Sequence, residues 1–317
     1  MSATIDYEAL FAAERRFVWR LCYRMTGSAA DADDVLQETF VRAIAQPPPR
    51  TDLAWRPWLV RVAVNLARDC LRRRRRAPYR GPWLPAPIDC GGADAPEPPA
   101  YEVGAGAARS TEGRYELMES VSYAFLLALE ALTPAQRAVL LLRDVIDYDV
   151  RETALALGMS EANVKTTHHR ARRAMAAYNG ARCPPTPARQ AATGAALARF
   201  LDALQRDDVS ALEALLAEDV RSVTDGGEYP AAHRSLDGRR RVLELFRGLV
   251  RKSAGRFVAT ARMLNGLPAV LIEFRDHGPR FAPRTVLRCE IDAAGRITAL
   301  HVVSASRKLT ALARGDG

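Results

Sequence analysis

The side chains with the clearest chemical pattern lie in a polar, basic stretch between residues 160 and 173. Helical spacing would place their hydrogen-bond donors and positive charges on one exposed face. Such groups can bond to base edges in the major groove of DNA and to the phosphates beside them. The predicted DNA contacts in this stretch are Ser160, Asn163, Lys165, Thr166, His168, His169, Arg170 and Arg173.

A tight turn and a shorter helix precede that stretch. Gly158 predicts the end of a helix over about residues 150–157, and Ser160 predicts the cap of a helix that runs to about Tyr178. Ala154 is small where two such helices would cross. This order predicts a helix-turn-helix, and the alternative is an ordinary helical hairpin with a solvated basic face.

A second cationic group ends another predicted helix. Five consecutive arginines at residues 72–76 repel one another, and DNA phosphates would neutralise them without reading sequence. A tryptophan near the start of the same helix could stack on an unpaired base. The alternative for the arginines is a disordered basic tail. The predicted DNA contacts in this helix are Trp55, Trp58, Arg61, Asn65, Arg68, Arg72, Arg73 and Arg74.

The overall charge also favours a polyanion as partner. Lys and Arg number 46 against 37 Asp and Glu, which gives a net charge of +9. Basic proteins of this size bind nucleic acid or an anionic membrane surface. A genome that favours arginine codons explains the use of Arg in place of Lys, but not the excess of positive charge.

Other kinds of site are not indicated by the sequence. The five cysteines are scattered without CxxC or metal-ligand spacing, so we expect no disulfide framework, metal or cofactor. Asp6, Glu8 and Glu14 interrupt any signal peptide, and no run approaches the roughly 18 apolar residues of a membrane span. We therefore expect a cytoplasmic protein without membrane contacts.

The elements that carry these groups divide into three predicted domains. Two Pro-rich stretches, at residues 77–113 and 179–190, resist regular structure because proline fixes φ and lacks an amide donor. Residues 5–76 and 114–178 show helical periodicity, whereas residues 191–310 mix helices and strands. The sequence predicts a multidomain chain of two all-α domains, the second with the helix-turn-helix, followed by an α+β domain.

The helical segments are predicted in more detail from their apolar stripes. A stripe over residues 117–129 predicts one helix, and Thr133 with Pro134 predicts the start of the next. Three helices are predicted before residue 77, and the second begins near Ala30. Its apolar residues are predicted to share one face, and they are Val35, Leu36, Phe40, Val41 and Ile44.

The predicted C-terminal domain begins with helices and ends with strands. After an Asp225-Gly226-Gly227 turn, a helix is predicted over about residues 239–250. Four runs rich in β-branched residues follow and are separated by glycines. We expect them to form a curved antiparallel sheet from residues 257–264, 269–274, 285–291 and 297–303.

Three motifs resemble the sigma-70 family. Residues 32–42 (ADDVLQETFVR) resemble its polymerase-binding helix, and residues 58–72 (WLVRVAVNLARDCLR) resemble the helix that reads the minus-ten element. Residues 132–144 (LTPAQRAVLLLRD) and the helix-turn-helix resemble region 4, which reads the minus-thirty-five element. Their order, without the other sigma regions, is similar to the extracytoplasmic-function group.

The resemblance implies a factor that binds core RNA polymerase and promoter DNA and directs transcription initiation. The partners on the polymerase would be the β′ clamp helices and the β flap. The loop between Gln46 and Trp55 would hold an unstacked base of the opened strand. Acidic and amide groups at helical spacing suit a basic partner helix. The residues implied to face β′ are Asp33, Asp34, Gln37, Glu38 and Arg42.

The linker and the C-terminal domain resemble a sigma subfamily with a SnoaL-like cone domain. Residues 79–87 (YRGPWLPAP) resemble its linker motif. The resemblance implies that the domain contacts the sigma domains and modulates polymerase binding without a separate anti-sigma factor. The alternative for the Trp-Leu pair is a linker that covers its own domain. The implied regulatory residues are Trp83, Leu84, Asp225, Gly226, Gly227, Lys308 and Leu309.

Two places depart from that subfamily. Glu228 stands where a glycine-rich loop usually ends in a basic residue, and only Lys308 and Leu309 remain of a C-terminal motif similar to Asn-Pro-Asp-Lys-Leu. Residues 304–307 differ from it. The resemblance therefore does not carry over the subfamily's contacts at these two places, whereas the domain assignment is not affected.

Two other functions compete with the sigma factor. A one-component helix-turn-helix regulator with a ligand-sensing cone domain would explain the middle and last domains, but not residues 5–76. Enzymes share the cone fold, and their acid–base groups would come from six candidates without a spacing that implies mechanism. We therefore expect no enzyme activity from the candidates Asp225, Glu228, Tyr229, His233, His277 and His301.

Overall fold

The computed structural model describes residues 5–48, 54–76, 79, 81–89, 119–229, 234–253, 256–275 and 282–312. The chain forms two compact units. The first comprises Met1–Pro78 and Pro96–Cys183, and the second comprises Tyr79–Ala95 and Pro184–Gly317. The first part of the predicted linker therefore folds with the C-terminal domain.

Three helices form the N-terminal part of the first unit: α1 (Tyr7–Thr26), α2 (Ala29–Ala45) and α3 (Arg56–Arg76). Gly27 ends α1 in the left-handed region at φ 66°, and the Ser28 side chain caps α2. Their aliphatic sides pack together, so the helical prediction for this segment is confirmed.

The prediction that the five apolar residues of α2 share one face is wrong at two positions. Val35 and Phe40 are buried, whereas Val41 and Ile44 are 57% and 60% exposed. Five apolar positions cover a wider arc than the side of α2 that packs on the neighbouring helices, so two of them remain outside. They lie on the exposed side of the helix, as Gln37 does.

Five more helices lie in the described part of the first unit. Thr133 and Gln136 form a reciprocal capping box at the start of α5, and Gly158 ends α6 in the left-handed region. The helices are α4 (Tyr123–Leu129), α5 (Pro134–Asp144), α6 (Val150–Leu157), α7 (Glu161–Ala174) and α8 (Ala176–Gly180).

The helix predicted over residues 117–129 differs in the structure. Leu117 lies outside the described residues, and a 3-10 turn spans Glu119–Val121. The Ser122 side chain accepts the Phe125 amide and caps α4 after that turn. A serine hydroxyl competes with helical hydrogen bonding in this way, so the apolar stripe continues across a break.

The helix predicted to reach Tyr178 also breaks. It ends at Ala174, and Met175 leaves the α-helical region at φ −84° and ψ 3° before α8 begins. The Met175 side chain is buried, as is Tyr178. The break redirects the chain after the helix-turn-helix, which residue periodicity does not predict.

Among its described residues, the second unit contains three helices and a six-stranded sheet. Its helices are α9 (Pro187–Gln205), α10 (Val209–Leu215) and α11 (Arg239–Ser253). Its strands are β1 (Leu216–Asp225), β2 (Arg234–Asp237), β3 (Phe257–Leu264), β4 (Leu267–Phe274), β5 (Arg284–Ile291) and β6 (Ile297–Val303). The α+β class is confirmed.

The predicted antiparallel pairing of the four C-terminal strands is confirmed, but the complete sheet is mixed. The strand order is β2-β1-β6-β5-β4-β3, and β1 runs parallel to β6. Strands β3 to β6 pair successively as antiparallel neighbours, whereas β1 precedes α11 and meets the last strand at the edge of that meander. The short strand β2, which pairs with β1, was not predicted.

Candidate nucleic-acid and polymerase interfaces

The helix-turn-helix is formed by α6 and α7. Gly158 adopts φ 62° between them, and the Ser160 hydroxyl accepts the Asn163 amide at 3.2 Å. Val164 and Ala171 are the buried positions of α7, so its remaining sides stay open. The predicted DNA contacts that are exposed here are Ser160, Asn163, Lys165, Thr166, His169, Arg170 and Arg173.

His168 is placed differently from the other predicted contacts on α7. Its side chain is only 19% exposed, and its Nε2 lies 2.9 Å from the Asp144 carboxylate. This bond joins α7 to the end of α5. The structure therefore gives His168 a partner inside its own domain, which the alternation of polar residues along α7 does not indicate.

The aromatic residues predicted to contact DNA lie together at the start of α3. Trp55 contacts Trp58 edge to face, with ring centroids 5.9 Å apart, and contacts Tyr7 in the same manner at 6.1 Å. Both tryptophans are half-buried. The cluster holds the N-terminal end of α3 and leaves part of each indole ring accessible for stacking.

The polar face of α3 is organised by pairs one turn apart. Arg68 donates to the Asn65 side chain at 3.1 Å, and Arg72 forms an ion pair with Asp69 at 2.8 Å. Burial lowers the pKa of Arg68, and the neighbouring Arg72 lowers it further. The predicted contacts Arg61, Arg72 and Arg73 are exposed. These residues form a continuous donor face along α3.

The last arginines of α3 are engaged within the first unit. Arg74 donates to the Thr26 carbonyl at 2.7 Å and to the Glu130 carboxylate at 3.0 Å. Arg75 donates to the Leu132 carbonyl at 2.5 Å. Glu130 and Leu132 belong to the α4–α5 junction. The predicted phosphate contact Arg74 is thus bonded to protein groups in this arrangement.

Arg137 completes the same junction and was not among the predicted site residues. It is 2% exposed and donates to the Met25 carbonyl at 2.9 Å and the Leu129 carbonyl at 2.6 Å. It also pairs with Glu130 at 2.6 Å. Burial lowers the pKa of Arg137, which Glu130 partly offsets. An arginine inside the apolar stripe of α5 was the available signal.

The predicted polymerase contacts form an exposed face of α2. Asp33 accepts the Trp19 indole at 2.6 Å, and Glu38 pairs with Arg42 at 2.8 Å. Val41 and Ile44 extend this face toward the end of the helix. An apolar patch beside acidic groups is the composition of a protein interface core with a polar rim. The exposed predicted contacts are Asp33, Asp34, Gln37, Glu38 and Arg42.

The predicted regulatory residues converge on Asp225 in the second unit. Its carboxylate is fully buried and accepts the Tyr79 hydroxyl at 2.5 Å and the Leu84 amide at 2.8 Å. Lys308 pairs with it at 2.5 Å. One acidic side chain therefore joins the end of β1, the linker and the C-terminal tail.

Lys308 contacts the linker through a hydrogen bond and through cation–π contacts. Its ammonium donates to the Leu84 carbonyl at 2.6 Å and lies 4.0 Å from the Trp83 ring centroid. The Tyr79 ring centroid lies 4.9 Å from the same ammonium. Such cation–π contacts strengthen when the cation is removed from water, as it is here. Leu309 beside it is also buried.

The glycine-rich loop after Asp225 fits closely against the tail. Gly227 adopts φ 54°, and a β-carbon there would lie 2.5 Å from the Ala305 β-carbon. Its amide donates to the Asp225 carboxylate at 3.2 Å. Glu228, the departure from the subfamily, accepts the Ser306 amide at 3.2 Å, so the altered loop still bonds to the altered tail.

We expect Gly227→Ala to weaken this contact. The substitution combines an unfavourable left-handed conformation with a backbone-proximal clash, and should destabilise the second unit by about 1 to 3 kcal/mol. Chemical unfolding of the full chain measures the change. Gly295→Ala is the control, because Gly295 also has positive φ but a β-carbon there meets nothing within 4 Å. Equal losses in both variants would contradict the close fit.

Ile88 and Asp89 of the linker contact β3 and the turn after it, at the opposite edge of the sheet. The Asn265 amide donates to the Ile88 carbonyl at 3.0 Å, and Asp89 forms a β-bridge with Leu264. Because Asp225 lies on β1 and Leu264 on β3, the buried segment between Leu84 and Ile88 crosses the intervening strands. The first part of the linker, from Tyr79 to Asp89 as far as the structure describes it, is therefore a structural part of the second unit.

The candidates for acid–base catalysis do not share a site among the described residues. Asp225 is bonded to the linker and tail, and Tyr229 contacts Ser306 at 3.1 Å. His301 is buried on the sheet, where desolvation lowers its pKa. His233 and His277 lie outside the described residues. No group of three potential metal ligands occurs in the described part of the chain, and none of its helices meets the length and hydropathy required to cross a membrane.

Family comparisons match all three predicted domains. The sigma-70 region 2 model matches residues 10–77, the sigma-70 region 4 model matches residues 122–175, and the SnoaL-like domain model matches residues 197–304. The region 2 match accounts for the acidic and arginine-rich helices that a one-component regulator leaves unexplained.

Two relatives from Mycobacterium tuberculosis extend the comparison. The ECF RNA polymerase sigma factor SigJ is 32% identical over 95% of this chain and 92% of its own length. SigG is 34% identical over 65% of this chain and 58% of its length. The crystal structure of the extracytoplasmic function sigma factor SigJ matches with a TM-score of 0.70 at 25% identity, covering 96% of this chain and 98% of that one. The chain belongs to the extracytoplasmic-function sigma factors of the sigma-70 family and carries a SnoaL-like C-terminal domain.

Proposed function

We propose that this sigma factor binds polymerase through α2, reads promoter DNA through α3 and α7, and is controlled by its own C-terminal domain. Sigma factors bind core RNA polymerase and promoter DNA and are not enzymes, so the finer assignments concern which groups make each contact. The β′ clamp helices are the proposed partner of α2, and the β flap is the proposed partner of region 4. The cytoplasm is the proposed location.

The binding of the linker by Asp225 and Lys308 is the observation that supports control of the sigma factor by its C-terminal domain. The linker begins directly after α3 and leads to region 4, so any group that fixes it limits where both regions can go. Bonds from Leu84, Tyr79 and Ile88 fix it to the C-terminal domain. We propose that this binding replaces the restraint that a separate anti-sigma factor would impose.

We also propose that the packing of α5 against the first three helices is a closed form. The minus-ten and minus-thirty-five elements are about 25 base pairs apart, or roughly 85 Å at 3.4 Å per pair. Arg74 and Arg137 instead bond the two regions directly. Reading both elements at once requires that these bonds break, and Arg74 would then be released for phosphate binding.

The experiment that tests the function is transcription with purified components. The full chain is added to core polymerase on a library of genomic fragments, and new transcript starts are mapped. A Lys165→Ala, Arg170→Ala variant is expected to lose promoter selection but keep polymerase binding, because both side chains lie on the open face of α7. Promoter-independent starts with the unaltered chain would contradict the proposal.

The exposed apolar residues of α2 give a sharper test of the polymerase interface. We expect Val41→Ser with Ile44→Ser to weaken binding to core polymerase by about 10- to 100-fold, because each side chain would lose roughly 1 kcal/mol or more of apolar burial. Equilibrium binding of labelled full chain measures it. Val258→Ser is the control, since Val258 is also exposed, at 41%, but lies on β3. Unchanged affinity in the α2 variant would assign the interface elsewhere.

A further inference from the structure

The positive charge of this DNA-binding protein is shared between its sigma regions and its C-terminal part. Residues 184–317 carry 21 Lys and Arg against 15 Asp and Glu, an excess as large as that of residues 1–76 and 119–183 together, which carry 22 against 16. The C-terminal part therefore contributes +6 of the net charge of +9. Neither the linker contact nor the fold of the cone domain requires such an excess.

Much of that charge lies on α11. Positions 240, 247 and 251 lie along one line of the helix, and positions 241 and 252 lie roughly 100° around the helix from that line. The thirteen residues from position 240 to position 252 span twelve rises of 1.5 Å, so this cationic stripe is roughly 18 Å long. The stripe comprises Arg240, Arg241, Arg247, Arg251 and Lys252.

Acidic groups neutralise only part of the stripe. Asp207 pairs with Arg247 and Arg251, and Glu244 lies 3.7 Å from Arg240. Among the described residues, no ion pair is formed by Arg241 or Lys252, and both are exposed. The stripe keeps a surplus of positive charge that faces solvent.

Two cations of the stripe, Arg240 and Arg241, lie at the N-terminal end of α11, where the helix dipole disfavours positive charge. Arg239, Arg240 and Arg241 occupy the first turn, which contains no acidic residue. A helix N-terminus carries partial positive charge, so cations there are unfavourable by a few tenths of a kcal/mol or more each. Arg251 and Lys252 lie in the last turn, where the dipole favours cations, so stability of the helix explains that end of the stripe but not Arg240 and Arg241 at its start.

We infer that the cationic stripe of α11 binds the phosphate backbone of duplex DNA. Insertion into a membrane would need a broad apolar side, but Val242, Leu243 and Phe246 are buried in the core of the domain, and one large apolar residue of α11, Leu249, is exposed. Contact is therefore dominated by charge, which is how proteins hold DNA phosphates without reading bases. The sigma regions bring the chain to duplex DNA, where a second basic surface adds affinity.

The test measures binding of the full chain to a 30-base-pair duplex of arbitrary sequence as salt is varied. The variant Arg240→Gln, Arg241→Gln, Lys252→Gln should bind about tenfold or more weakly at roughly 0.1 M salt. Its slope of log affinity against log salt should fall by about 0.9 for each phosphate that the variant no longer neutralises, or nearly 3 in all. Circular dichroism confirms that the variant is folded.

A charge-matched variant separates the stripe from net charge. Arg199→Gln, Arg296→Gln, Arg307→Gln removes three exposed cations that lie off α11 and should leave the slope nearly unchanged. Equal weakening of both variants, or no weakening of the α11 variant, would overturn the inference. Loss of binding to vesicles containing phosphatidylglycerol, with DNA binding intact, would overturn it in favour of a membrane. Transcription with core polymerase is measured separately, so failure of the sigma assignment is distinguishable.

Discussion

Lys308→Ala is expected to lower the free energy of unfolding of the second unit by about 3 to 5 kcal/mol. The Asp225 carboxylate is completely buried, and removing its cation leaves a buried charge with only neutral donors. The variant also removes the bond to the Leu84 carbonyl and the contact with the Trp83 ring. Chemical unfolding of the full chain gives the change in stability.

The same variant should free the linker. Trp83 would lose its cationic neighbour and become more accessible to water, which tryptophan fluorescence quenching reports. If the linker restrains the sigma regions, transcription per bound polymerase should change with it. Arg307→Ala is the matched control, because Arg307 is adjacent in sequence but exposed.

A double substitution distinguishes the cost of burying an unpaired charge from the effect of losing the linker contact. In Asp225→Asn, Lys308→Met, neither residue is charged, so part of the stability should return while the linker contact remains altered. Stability in Lys308→Ala equal to that of the unaltered chain would show that Asp225 and Lys308 do not form the buried pair described here.

Arg137→Met should destabilise the first unit by about 3 kcal/mol. Arg137 is nearly fully buried, and its loss leaves the Met25 and Leu129 carbonyls without this donor and Glu130 without its shortest partner. Because methionine fills much of the volume of the arginine side chain, the loss of stability measures the lost hydrogen bonds more than a new cavity. The exposed Arg151→Met is the control for removing a cation from region 4.

Glu130→Gln distinguishes an effect on the stability of the first unit from an effect on the separation of its two sigma regions. Glu130 accepts from both Arg74 and Arg137, so the neutral amide should weaken the closed form without removing a buried cation. We expect a smaller loss of stability and tighter binding to core polymerase, because less energy is needed to separate the two regions. Weaker polymerase binding in Glu130→Gln would contradict the proposed closed form.

The sequence by itself determined the elements whose signals are local. The helix-turn-helix follows from Gly158 and Ser160, because a left-handed residue and a side-chain cap act on neighbouring backbone atoms. The bounds of β3 and β6 follow equally from runs of β-branched residues between glycines. The family assignment rested on such local motifs in their correct order, and it is confirmed.

Only the tertiary structure decided which distant groups meet. Asp225 bonds to Tyr79 and Leu84 across more than 140 positions, Arg137 bonds to Met25, and β1 runs beside β6. No periodicity encodes such pairs, because each depends on how complete elements pack. The resemblance to the sigma subfamily nominated Asp225 and Lys308 as important, but burial of their charges against the linker is a property of the folded chain.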